Sequence, residues 1–304
     1  MSHFFNEAVW EKEWKDHGEN VRRKMKKAGI EPAKAFDHKA KSFNEQSFSA
    51  EGRKRTARIV NWLEDQGVRF ENASVLDVGA ASGVFTVPFV ERGALVTAVE
   101  SSLPLVELLK ENVAEYGEDK VRIVAEPFDA IDAEARGWSD AFDLVFVSMC
   151  PVIFDWESVE KVLRCARRFC YISMPAGSAE NSLAHEIWPL VTGKPFAVKP
   201  MEFEYLLHLL YLKGYSYGSL ITREEKTTEV PHEEALQEIM SWLRGHGLPA
   251  DDRNRKTVAD YLKRAYPSGK AVVRQGGRYG KVLVRLQDQS MYAKDNGGVG
   301  LQSG

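Results

Sequence analysis

Between residues 51 and 175, short apolar runs alternate with stretches of helical period. That alternation restricts the chain to an α/β fold: a mostly parallel sheet, doubly wound, with helices covering both faces. The runs fall at 74–79, 94–99, 121–125, 142–148 and 169–174. Helices are expected over 51–66, 83–92, 103–116 and 155–167, with a short one near 130–136. Right-handed crossovers between parallel strands gather the ligand-binding loops at the strands' carboxyl ends. Gly79, Glu100, Glu126 and Ser148 all fall there.

The first run reads Val75-Leu76-Asp77-Val78-Gly79-Ala80-Ala81-Ser82-Gly83, an apolar strand holding one acid and closed by a glycine-bracketed turn. Glycines at 79 and 83 allow a sharp turn from strand into helix and a close approach of backbone to ligand. Glu100 ends the next apolar run, Leu95–Val99, where a carboxylate can accept both hydroxyls of a ribose. A dinucleotide fingerprint needs G-x-G-x-x-G, whereas here the spacing is Gly79-x-x-x-Gly83 and the third glycine is missing. Asp77, two residues before Gly79, repels a pyrophosphate but suits a ligand carrying an ammonium group and a sulfonium. The competing reading is a strand-turn-helix corner with no ligand, which the added spacing of Asp77 and Glu100 disfavours.

With these residues the chain resembles the class I S-adenosylmethionine-dependent methyltransferase family over roughly residues 50–175. The resemblance implies a Rossmann-like methyltransferase fold of seven strands with S-adenosyl-L-methionine as cofactor. It puts Asp77 near the methionine amino group, the turn through Gly79, Ala80, Ala81 and Gly83 under the methionine and ribose, and Glu100 with Ser101 at the ribose hydroxyls. Ala81 stands where many members have glycine, which narrows the backbone path. Glu126, Pro127 and Phe128 follow the third strand, where the family contacts adenine. Core packing is an equal claim on Phe128. Ser148-Met149-Cys150-Pro151 follows the fourth strand. There the family borders both the methionine moiety and the acceptor, so Ser148 is a candidate for both roles. Little of the amine-methylating pattern survives in it, and Cys150 reads as inert packing rather than a nucleophile.

After the fifth strand, helices are expected over 180–191 and 202–213, and a strand over Tyr215–Arg223. A helical insertion, 227–270, holds helices 232–245 and 254–265 before a final strand, Gly280–Leu286. Such an insertion is expected to be a lid or substrate wall. Candidate acid–base residues cluster near the start of the region after the fifth strand: His185, Glu186, Tyr205 and His208. A histidine at neutral pH can take a proton from a hydroxyl or amine, and His185 and Tyr205 are the candidates carried forward. The competing reading for each is a residue satisfied within helical packing. Trp188 and Tyr205 can line an aromatic slot or simply pack. His185-Glu186 opens like a zinc-binding helix but lacks the second histidine, so no metal is expected.

Helices are expected over 4–17 and 19–29, so residues 1–50 form an N-terminal helical cap, 51–287 the cofactor-binding domain and 288–304 a disordered tail. From Val21 to Arg58 there are twelve Lys or Arg (22, 23, 24, 26, 27, 34, 39, 41, 53, 54, 55, 58) against four acids (31, 37, 45, 51), a local balance of +8. Solvated helix faces account for such a patch more simply than an RNA surface, although Phe36, Phe43 and Phe48 interleave with the charges. The whole chain carries −3. No apolar stretch reaches the length of a membrane span, and residues 1–4 open no leader. Three scattered cysteines, Cys150, Cys165 and Cys170, point to free thiols in a reducing, cytoplasmic setting. The expected function is a cytoplasmic transferase methylating a small-molecule acceptor on O, N or C. The alternatives are an RNA-directed methyltransferase using the basic segment, a non-catalytic S-adenosylmethionine-binding protein and, third, an NAD-dependent oxidoreductase.

Overall fold

A computed structural model of the 304-residue chain describes residues 4–27, 37–178, 180–196 and 202–287. The expectations for Phe36 and for the tail from 288 lie outside these residues, as do positions 28–36 of the basic segment. The chain divides into two compact units: Met1–Ile172 with His208–Gly218 and Val282–Gly304, and Ser173–Leu207 with Ser219–Lys281.

The first unit opens with α1 (Glu7–Lys27), α2 (Ala40–Ser47) and α3 (Ala50–Asp65). Ser49 caps α3 by accepting the Gly52 N–H at 3.1 Å. There follow β1 (Ser74–Val78), α4 (Thr86–Val90), β2 (Leu95–Val99), α5 (Leu103–Val113), β3 (Val121–Val124), β4 (Phe142–Ser148), α6 (Trp156–Cys165) and β5 (Ala166–Pro175). With β8 (Lys270–Arg285) the strand order is β3-β2-β1-β4-β5-β8. β1 lies parallel to both β2 and β4, with Asp77 opposite Ala98 on one side and Phe146 on the other. Each inner strand is apolar on both faces because helices cover both. Phe146 stacks on Tyr171 at 4.5 Å and 5°, and Phe89 meets Phe146 edge-on at 5.0 Å, filling one layer of the core.

The second unit contains β6 (Glu180–Asn181), α7 (Ser182–Thr192), most of α8 (Glu202–Leu212), most of β7 (Ser216–Pro231), α9 (His232–Gly245) and α10 (Asp252–Ala265). Here β8 pairs antiparallel with β6 and also pairs with β7. Leu183, Ile187, Ile239, Leu243, Val258 and Leu262 pack the three helices on Val230 and Val273.

Several local expectations are corrected. The sheet has eight strands among the described residues rather than seven, because Glu180 and Asn181 pair with Gly276 and Gln275 before the helix begins. The segments 4–17 and 19–29 are one helix through Lys27, with 28 and 29 outside the described residues. Gly18 sits inside it because a side chain there would run into the Phe154 carbonyl oxygen. Residues 130–136 form turns after a 3-10 turn at Phe128–Ala130, Asp132 accepting the Ala135 N–H at 3.0 Å. Helix α2 has no counterpart in the sequence reading. β7 and β8 are 16 residues each, longer than the runs expected at 215–223 and 280–286.

Candidate functional site

The turn after β1 is shaped by backbone constraints. Gly79 and Gly83 have φ of 74° and 88°, the left-handed region where a Cβ is penalised, and Ala81 adopts φ 50°. The N–H groups of Gly79 and Ala80 both donate to the Val99 carbonyl, at 2.9 and 3.0 Å, so the turn folds back over the end of β2. A Cβ at Gly79 would strike the Cys150 sulfur, and one at Gly83 would lie 2.8 Å from Leu109 Cδ1. Both positions are closed to a side chain on steric as well as torsional grounds.

Glu100 is buried at the end of β2 and organises the site. One carboxylate oxygen accepts the N–H groups of Ser101 and Ser102 at 2.8 Å each, at the start of α5; the other accepts Ala81 N–H at 2.9 Å. A carboxylate offers about four acceptor positions. Three are used, and one of them ties the carboxylate to the glycine turn.

Asp77 lies beneath the turn, 2% exposed, accepting Thr86 Oγ1–H at 2.7 Å. Burial pushes its carboxyl up to about 7; the Thr86 hydrogen bond opposes that, and the Glu100 charge adds to it. A buried carboxyl poised near neutrality ionises readily beside a cation. The Ser82 hydroxyl, fully buried in the same turn, has no hydrogen-bond partner among the described residues. An acid pair of this kind, an orphan hydroxyl and glycines where side chains would collide fit a cationic nucleoside.

Two links were not foreseen from the sequence. Ser102 Oγ–H donates to Asp37 at 2.6 Å, and Asn112 Nδ2 donates to the Ser82 carbonyl at 2.8 Å and to Asn44 Oδ1 at 2.9 Å. Residues 37–47 are thereby tied to both the turn and α5. A lone Asp or Asn on a helix gives no sequence signal for a contact across 65 or 68 residues.

The other expected residues are dispersed. Glu126 and Pro127 are exposed after β3, and both Glu126 oxygens lie at 2.7–2.8 Å from Arg136 Nη2. Phe128 is buried, with Lys161 Nζ 5.0 Å over its ring and 2.8 Å from its carbonyl. Ser148 is half-buried at the end of β4, before Met149, which has φ 53°. The Cys150 thiol is pushed up to about 12, chiefly by burial, which opposes a nucleophilic thiolate. His185 and Tyr205 belong to the second unit, where His185 is exposed and stacked on Phe196 at 4.6 Å. Glu186 accepts the hydroxyls of Tyr261 and Tyr266 at 2.8 and 3.0 Å. His208, in the first unit, is held at the Phe4 carbonyl at 2.8 Å and against Trp10 at 4.3 Å.

The family described as "Methyltransferase domain" matches residues 75–171, which contain this turn and both acids. Over this stretch the chain is similar to class I methyltransferases, whose cofactor is S-adenosylmethionine. A zebrafish (Danio rerio) protein, EEF1A lysine methyltransferase 2, is 29% identical over 93 residues, 30% of this chain and 40% of that protein. The chain thus matches less than half the length of that curated relative. Among solved structures, the YcgJ protein of Bacillus subtilis aligns at TM-score 0.47 and 14% identity, over 75% of this chain and 97% of that one. Phosphoethanolamine N-methyltransferase 2 of Haemonchus contortus aligns at TM-score 0.48 and 15% identity, over 83% and 57%. The matched stretch is the smaller part of the chain; α7 to α10 lie beyond it.

Proposed function

We propose that the protein is an S-adenosylmethionine-dependent methyltransferase acting on a small-molecule acceptor at O, N or C. The observation that carries this reading is the buried Glu100 carboxylate bound to the Ala81 N–H, with Asp77 beneath the same turn. Glu100 would accept the ribose hydroxyls. With three acceptor positions already engaged, taking both requires Ala81 N–H to yield, a movement confined to the turn. Asp77 would ionise beside the methionine ammonium, and Gly79, Ala80, Ala81 and Gly83 would pass beneath the ligand. Ser101 flanks the ribose side, while Glu126, Pro127 and Phe128 would border the adenine, Phe128 from within the core.

The cofactor, when bound, supplies an electrophilic methyl group: the acceptor's lone pair forms the new bond to carbon, and the carbon–sulfur pair stays on sulfur. The protein's share is to hold the acceptor in line and to exclude water. Ser148 at the β4 end would orient the acceptor, and His185 or Tyr205 would take its proton where the acceptor is O–H or N–H. Residues 37–47, bonded to α5 and the turn, would form part of the cofactor's cover. The 227–270 segment would help select the acceptor. Cys150, Cys165 and Cys170 are free thiols, which supports a reducing, cytoplasmic location. Among the described residues no helix is long and apolar enough to cross a membrane.

A second reading, a protein lysine acceptor, is favoured by the name of the zebrafish relative. Methyl-tritiated S-adenosylmethionine offered with separated small-molecule, protein and RNA fractions distinguishes these. Label in the small-molecule fraction is expected; label confined to protein would transfer the assignment to the second reading, and label confined to RNA would contradict both.

A further inference from the structure

The second unit contains an open cleft of about 740 Å³ whose walls differ sharply in character. One wall is cationic. Arg274 and Arg278 are exposed on β8, four residues apart and so on the same face of the strand. Between them on that face lies Gly276, paired with Glu180 of β6. A third arginine, Arg223 of β7, is already engaged, its Nη2 lying 2.7 Å from Glu180 and 3.1 Å from Glu225. The two carboxylates of the cleft are therefore spent on Arg223. Arg274 and Arg278 form no ion pair among the described residues; with the Arg223 cluster at −1, the lining carries a formal balance of +1. Arg278 packs close over Gly177, where a Cβ would lie 2.8 Å from its Nε.

The start of α7 adds to this wall. Asn181 caps the helix by accepting the Ala184 N–H at 2.9 Å, and Ser182 Oγ accepts the Arg274 N–H at 3.1 Å. The positive end of an eleven-residue helix is thus fixed beside the arginines. The cleft is also lined by two flat rings: the His185 ring lies 25° from parallel to Phe196 at 4.6 Å, with Trp188 edge-on to Phe196 at 5.3 Å.

Guanidinium groups bind carboxylate and phosphate through paired N–H donors, and an aromatic face beside them favours a planar apolar body. We propose that this cleft binds a small anionic molecule in which a carboxylate or phosphate is joined to a flat ring, with Arg274 and Arg278 on the oxyanion and His185–Phe196 against the ring. The assignment does not depend on the methyltransferase reading.

Calorimetric titration of the full chain with phenyl phosphate, benzoate, inorganic phosphate and benzyl alcohol tests it. Saturable binding is expected for phenyl phosphate or benzoate, the stronger of the two identifying the headgroup, and none for neutral benzyl alcohol. Arg274→Gln with Arg278→Gln should weaken the anion at least about tenfold. Phe196→Ala should weaken phenyl phosphate while leaving inorganic phosphate unchanged. The thermal transition of each variant, together with its affinity for S-adenosylhomocysteine, reports the fold; loss of nucleoside binding in the unaltered chain counts against the cofactor reading alone. Absence of saturable anion binding below about 10 mM, or equal affinity in the double arginine variant, overturns the proposal.

Discussion

The Thr86 hydroxyl donates to the Asp77 carboxyl at 2.7 Å, and both side chains are buried. Thr86 is the first residue of α4, so the hydrogen bond ties that helix to β1 beneath the glycine turn. It also opposes, together with the Thr86 backbone N–H, the burial that pushes the Asp77 carboxyl up to about 7.

That shift has a sign. The folded-state value lies above the ordinary 3.8, so between roughly pH 4 and 7 the folded protein holds a proton that the unfolded chain has released. The stabilising contribution is complete below about pH 4 and is lost as pH rises through 7. Asp77→Asn, which keeps an acceptor for Thr86, should therefore gain about 1–3 kcal/mol over the parent at pH 8 and little at pH 4. Denaturant melts at the two pH values check this; a gain that is the same at both would contradict the assignment of the titration to Asp77.

Gly79 should tolerate no side chain. Gly79→Ala combines a positive φ with a collision against the Cys150 sulfur and should cost about 1–3 kcal/mol. Adding Cys150→Gly should recover the steric part and leave the torsional part. A double-mutant cycle by chemical unfolding measures the coupling, and strict additivity would show that the two residues do not press on each other.

Asn112 joins α5, the turn at Ser82 and α2 at Asn44. Asn112→Ala should cost about 1–2 kcal/mol, because the Ser82 carbonyl loses its partner in a half-buried setting. Amide exchange should quicken first in residues 40–47, since that helix loses the hydrogen bond at Asn44 that ties it to α5. Unchanged exchange there, with uniform loss elsewhere, would mean that the link holds nothing in place.

Much of the first unit was legible in the sequence because its parallel strands are buried on both faces and appear as unbroken apolar runs. Gly79, Gly83, Asp77 and Glu100 were legible because a turn with positive φ and a strand-end acid are set by local chemistry. β7 was read short because Glu224, Glu225, Lys226 and Thr227 are exposed and polar; their strand state comes from pairing with β8, which no local pattern records. The 130–136 segment had helical composition, but its backbone is turned through a 3-10 turn and Gly137 at φ 69°. Gly18 was read as a helix end although it marks a close approach to Phe154 within one helix. Glu126 lay where an adenine contact was expected, yet Arg136, ten residues on, reaches both of its oxygens. Contacts such as Ser102 with Asp37 exist only in the folded chain.

Calorimetry of S-adenosylhomocysteine binding to the parent chain and to Glu100→Ala tests the central claim most directly. Loss of the carboxylate removes the expected ribose acceptor and frees the Ala81 N–H. The parent should bind the nucleoside, and the variant should bind it about 1–3 kcal/mol more weakly, roughly 5- to 150-fold, while NAD binds neither. An unchanged dissociation constant, or a parent chain that prefers NAD, would contradict the account.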